Sequence, residues 1–173
     1  HKKHIKRARL WCFVGDRKYV AFHYAPDWTA EHPGEFLRDY DGYVQTDGYG
    51  GYASEVGPPE DRHIVVREDR RLGCAMHIRR KFEVTAESGD PQGGVALAYF
   101  RRLYDLERDY KERGLTPEER HRERQEQSVP VVVEFKQWLD GKRDTTIPDT
   151  LLYKAVRYAT NQWAYFERCF SDG

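Results

Sequence analysis

The spacing of apolar positions changes character once along this chain. Leu10 to Val14 and Tyr19 to Tyr24 are aromatic and β-branched runs joined by Gly15-Asp16-Arg17-Lys18, a link of hairpin length. Pro26-Asp27 ends the second run. Pro33 to Tyr40 suits a short helix with proline in its first turn, and Asp41-Gly42 breaks it. Tyr43 to Asp47 reads as a strand ending on a carboxylate. The glycines and tyrosines from Gly48 to Tyr52 then allow a tight turn. His63 to Val66 is a further strand, and Leu72 to Met76 a shorter one. His77 to Ala86 is helical, because Ile78, Phe82 and Ala86 recur on one face.

Beyond Ser88-Gly89-Asp90-Pro91 the pattern is helical almost throughout. Ala96, Phe100, Leu103, Leu106 and Tyr110 make an apolar stripe closed by Gly114. Thr116-Pro117-Glu118-Glu119 combines an N-cap, a proline in the first turn and a Glu at the third position, which is a capping box. The helix it opens, through Arg124 and Glu126, is polar all round and reads as a solvated helix held by charge pairs. Ser128-Val129-Pro130 breaks or kinks it. Val132, Phe135, Trp138 and Leu139 form the next stripe, ended by Asp140-Gly141. A last helix starts near Pro148-Asp149 and carries Leu152, Ala155, Val156, Ala159, Trp163, Phe166 and Phe170 on one side. The expected organisation is therefore an α/β part over residues 1–88 and an antiparallel helical part over residues 89–173. A hairpin, a helix, a strand ending in Asp and further α/β structure are compatible with a ribonuclease-H-like core, and equally with several other mixed α+β folds.

Composition narrows this picture. Aromatic residues make up 14% of the chain, enough for a core although 34% of residues are charged. Lys+Arg and Asp+Glu are both 29, so a nucleic-acid role would have to come from local clusters. Three widely spaced cysteines, Cys12, Cys74 and Cys169, do not make a disulfide scaffold, and they fit a reducing, cytoplasmic setting. No apolar run reaches membrane-spanning length, so no membrane association is expected. The chain opens on His rather than Met, which reads as a fragment or a processed product.

Three constellations could carry chemistry. Asp47 ends a strand and is followed by Gly48, Gly50 and Gly51, which let backbone and substrate approach closely. Such a carboxylate suits a hard cation such as Mg²⁺, although Asp-Gly is also a common turn pair. Cys74-Ala75-Met76-His77 has the spacing of two zinc ligands, but no matching second pair is present. Arg79, Arg80 and Lys81 follow in the first turns of a helix, where the dipole disfavours cations, so they suit either a phosphate or a solvated face. Lys2, Lys3, Lys6, Arg7 and Arg9 cluster near the N-terminus, and could neutralise nucleic-acid phosphates or simply solubilise a terminus. There is no Gly-rich nucleotide loop, nucleophile elbow or His-Glu-x-x-His.

Several segments, in register, resemble transposases of the insertion-sequence sixty-six type. They are Lys6 to Trp11, Tyr24-Ala25-Pro26, Pro33 to Leu37, Gln45 to Tyr52, Cys74 to Phe82, Leu115 to Arg120 and Lys154 to Tyr158. The resemblance implies a ribonuclease-H-like catalytic core, here partial, followed by a helical insertion subdomain. It implies cutting and joining of DNA at the ends of a mobile element, with two divalent ions (Mg²⁺ or Mn²⁺) held by an Asp-Asp-Glu set. Asp47 matches the second Asp of that set, and Cys74 and His77 match a Cys-x-x-His element expected to give structural support near the site. The first Asp and the final Glu would lie outside this chain. The expectation is a segment that is inactive alone and does not hold metal tightly. Transposon-end DNA, accessory proteins of the same element and further copies of the chain are the expected partners. A degenerate transposon remnant, acting only in DNA binding or assembly, is the alternative.

Overall fold

The computed structural model describes residues 8–16 and 18–171. The protein is mixed α and β, with small sheets and extensive helix. It forms two compact units. One takes in the chain up to Val44 together with Tyr49–Arg71, and the other takes in Gln45–Gly48 and the chain from Leu72 onward.

The first unit opens with the expected hairpin. Strands β1 (Arg9–Gly15) and β2 (Tyr19–Ala25) pair antiparallel, with Leu10 opposite Tyr24, Cys12 opposite Phe22 and Val14 opposite Val20. In the link, Asp16 adopts φ 49°, a left-handed conformation that Asp tolerates better than most residues, and Lys18 N–H donates to Gly15 O at 2.9 Å. Alternation divides the hairpin into two faces. Trp11, Phe13, Ala21 and His23 are partly covered, whereas Leu10, Cys12, Val14, Val20, Phe22 and Tyr24 are exposed.

Helix α1 (Glu31–Leu37) brings Phe36 flat onto Phe13, with ring centroids 3.8 Å apart and planes 10° apart. It places Gly34 where a Cβ would stand 2.3 Å from a Val56 methyl, so only glycine fits there. Short strands β4 (Glu55–Val56) and β5 (His63–Ile64) pair antiparallel. Val56, Val65 and Val66 form a small buried core packed by Ala30, Leu37, Val44 and Tyr52.

Strand β3 (Val44–Thr46) pairs with β6 (Arg71–Gly73), and the second unit begins within them, at Gln45 and at Leu72. The helices are α2 (Ala75–Glu87), α3 (Pro91–Glu112), α4 (Pro117–Glu123), α5 (Val129–Arg143), α6 (Leu151–Asn161) and α7 (Trp163–Arg168). Their apolar stripes meet in one core. Phe82, Phe100, Phe135 and Phe166 are each no more than 1% exposed, and complete burial of such a ring contributes roughly 2–3 kcal/mol. The stripe residues Ala96, Leu103, Val132, Leu139, Leu152, Ala155, Val156 and Ala159 all lie in this cluster. The Thr116 capping box forms in full, with Glu119 N–H donating to Thr116 Oγ1 at 3.2 Å and Thr116 N–H donating to the Glu119 carboxylate at 2.9 Å.

Three boundaries differ from expectation. The charged helix does not break before Pro130. A π-helical turn, Arg124–Ser128, carries α4 into α5, where Pro130 stands in the first turn and needs no N–H partner. The wide turn is held by Tyr110, whose hydroxyl donates to Glu123 O at 3.1 Å. Helix α5 also runs past Asp140-Gly141 to Arg143, while Lys136 pairs with Asp140 at 2.6 Å along it. The last helix is two helices divided at Gln162, whose N–H is shared between Tyr158 O and Ala159 O. Among the described residues no helix is long and apolar enough to cross a membrane.

Candidate functional site

The Asp47 turn is built from the end of β3, the start of α2 and the middle of α6. Thr46 is buried, and its carbonyl accepts from Cys74 N–H at 2.9 Å, which ties the strand end to the beginning of α2. Asp47 follows and is half-buried. At Gly48 a Cβ would stand 2.8 Å from Cε2 and 2.9 Å from the hydroxyl oxygen of Tyr158. The residue after the carboxylate must therefore be glycine for the α6 ring to close on the backbone. The Lys81 ammonium lies over the same Tyr158 ring, 5.4 Å from its centroid. Helices α2 and α6 hold these groups through Ile78, Phe82, Ala155, Val156 and Ala159, all buried in the shared core. The result is a carboxylate on a short, pinned turn beside a phenol ring and an ammonium group.

The other expected residues are distributed as follows. Cys74 occupies the N-cap position of α2 without a side-chain capping bond, and the exposed His77 donates its backbone N–H to Cys74 O at 3.1 Å. The Cys169 thiol donates to Gly73 O at 3.3 Å, and burial pushes that thiol above its usual range. Arg79 is taken up by Glu83 one turn on, through two contacts of 3.1 Å. Arg80 is exposed. Arg9 belongs to the first unit, where its guanidinium lies 4.2 Å from the Trp28 ring centroid. Lys2, Lys3, Lys6 and Arg7 lie outside the described residues. Sequence reading singled out neither Tyr158 nor Trp28 for a role. Tyr158 had a signal, since it closes the Lys154–Tyr158 segment of the resemblance, but its proximity to Gly48 is a contact between distant parts of the chain.

Among the described residues no three His, Cys, Asp or Glu side chains come together as a metal-binding group. A pair of divalent ions in fixed geometry needs several carboxylate oxygens. Asp47 by itself does not fit such a pair.

The profile of the Transposase IS66 family matches residues 1–173. The chain belongs to that family. Transposase IS66 membership agrees with the segments that flank and include Asp47, which lie along the whole match. Two relatives from Sinorhizobium fredii, the uncharacterized proteins y4hP and y4jD, are each 28% identical to the chain, over 95% and 99% of its length. A third, the uncharacterized protein y4qI of the same organism, is 28% identical over 96% of the chain. The chain spans about a third of the length of these relatives, 33%, 35% and 32% respectively. No solved structure matches it.

Proposed function

We propose that this chain is the central part of the catalytic domain of a DDE DNA transposase, a partial ribonuclease-H-like core with a helical insertion. The intact enzyme cuts and joins the ends of a mobile element by metal-assisted phosphoryl transfer. Asp47 supplies one of three carboxylates for Mg²⁺ or Mn²⁺, and the other two come from outside these residues. The chain alone is inactive and holds metal weakly. The observation that carries this reading is the Asp47 turn. A carboxylate pinned at a strand end, with glycine next to it closed against Tyr158, is preorganised in the way a metal ligand requires.

Transposon-end DNA binds through phosphate contacts from Lys2, Lys3, Lys6, Arg7, Arg9, Arg80 and Lys81, and Arg79 joins them only by leaving the Glu83 carboxylate. Cys74 and His77 support the start of α2 beside the Asp47 turn. Further copies of the chain and accessory proteins of the same element complete the cytoplasmic assembly. The test uses the longer parent protein. Asp47→Asn is expected to abolish Mg²⁺-dependent cleavage of element-end DNA while binding persists. Unchanged cleavage would make Asp47 a turn residue and favour the alternative, a DNA-binding or assembly module descended from a transposon.

A further inference from the structure

Trp28 is about half exposed, at 49%, although it belongs to a group of four aromatic rings. Trp11 lies 6.1 Å from it and Tyr49 lies 5.5 Å from it, the latter edge-on at 77°. Tyr52 packs on Tyr49 at 5.4 Å. The loop presenting Trp28 is fixed at both ends. Tyr49 donates its hydroxyl to Trp28 O at 2.6 Å. The Asp27 carboxylate accepts from Thr29 N–H at 3.0 Å and Thr29 Oγ1 at 2.9 Å, and contacts His32 Nε2 at 2.9 Å. These partners take up the Asp27 charge within the loop. A half-exposed indole thus stands on a hydrogen-bonded backbone, backed by rings, with the Arg9 guanidinium 4.2 Å from its centroid.

We propose that Trp28 and Arg9 form a stacking site for one unpaired nucleotide of a DNA strand. The base takes the place of the guanidinium on the indole face, and Arg9, displaced but close, pairs with the adjoining phosphate. An aromatic platform beside a cation is how single strands are held without regard to base identity. This backing matters because an indole already packed against rings gives up little entropy when the base arrives. The inference rests on reading the chain as part of a DNA-acting transposase, and it adds a contact that phosphate neutralisation alone does not supply.

The test measures anisotropy of a labelled DNA duplex ending either blunt or in a short unpaired overhang, titrated with this chain. The overhang is expected to bind about tenfold tighter, the scale of one base stacking on an aromatic ring. Trp28→Ala removes the preference, whereas Trp28→Phe keeps most of it. Replacing the overhang bases with abasic sites, which alters no protein residue, gives the same loss with the unsubstituted chain. Arg9→Ala weakens both duplexes. The preference is read by binding without Mg²⁺ and the catalytic reading by cleavage with it, so this site and the catalytic reading fail separately. Equal binding of blunt and overhanging duplexes by the unsubstituted chain overturns the proposal. So does an overhang preference that survives Trp28→Ala or abasic substitution; Trp28 would then be a protein-docking residue.

Discussion

The hydroxyl of Tyr110, on α3, lies 3.2 Å from Ser128 Oγ at the end of the π turn, with both residues fully buried. This bond and the one to Glu123 O occupy the phenol and hold the turn that carries α4 into α5. Tyr110→Phe keeps the ring and leaves Ser128 without this partner, so a loss of about 1–2 kcal/mol is expected in urea unfolding. A double-mutant cycle with Ser128→Ala should return much of it. Burial raises the Tyr110 phenol above its ordinary value of 10.0. A raised folded value means the contribution is complete below pH 10.0 and is lost as pH rises through the folded value. Tyr110→Phe should therefore flatten the alkaline limb of the stability curve.

Gly48→Ala tests the approach of Tyr158 to the Asp47 turn. The added methyl would stand 2.8 Å from Cε2 of the ring. A cost of about 1–3 kcal/mol is expected from this overpacking. Tyr158→Ala in the same chain should remove most of the Gly48→Ala penalty. A neutral Gly48→Ala would show that the ring gives way freely.

Two ion pairs of similar form should differ in weight. Arg124 Nε and Nη2 meet the Glu107 carboxylate at 2.7 and 2.9 Å, with side chains 15% and 30% exposed. Arg102 meets Glu134 at 2.6 Å, but both are about half exposed. Water screens the second pair more strongly. Arg124→Met is expected to cost about 2 kcal/mol, since it leaves a shielded carboxylate unpaired. Arg102→Met should change the urea midpoint little. Equal effects would contradict the burial argument.

Acid should loosen the Trp28 loop. The Asp27 carboxyl is held below its usual value of 3.8, first by the Thr29 backbone N–H, then by the Thr29 hydroxyl and His32. A depressed folded value gives a contribution present above pH 3.8 and lost as pH falls through the folded value. The difference in emission between this chain and its Trp28→Phe variant, which subtracts Trp11, Trp138 and Trp163, is expected to report a transition in that acid range. Asp27→Ala should abolish it and leave the loop in its loosened state at neutral pH.

What could be read before folding was local. The hairpin follows from two β-branched and aromatic runs around Gly15-Asp16, the α4 start from Thr116 and Glu119, and the helical core from recurrent apolar positions such as Phe100 and Leu103. Asp47 stood out because it ends a strand before glycines. Continuity through Pro130 was hidden, because proline in a first turn and proline breaking a helix look alike without the π turn beside it. The fate of Arg79 and Lys81 was equally hidden, since a helical cation is free or paired according to what the neighbouring turns and helices offer.

The sequence by itself determined the hairpin, the Thr116 cap and most of the membership of the helical core, because caps and periodicity act across one or two turns of backbone. Tertiary structure alone decided that Tyr158 closes on Gly48, that Lys81 covers the ring, and that Trp28 stays exposed beside Arg9. Those outcomes depend on which distant segments share a surface, and that is fixed only when burial of the whole apolar set selects one packing.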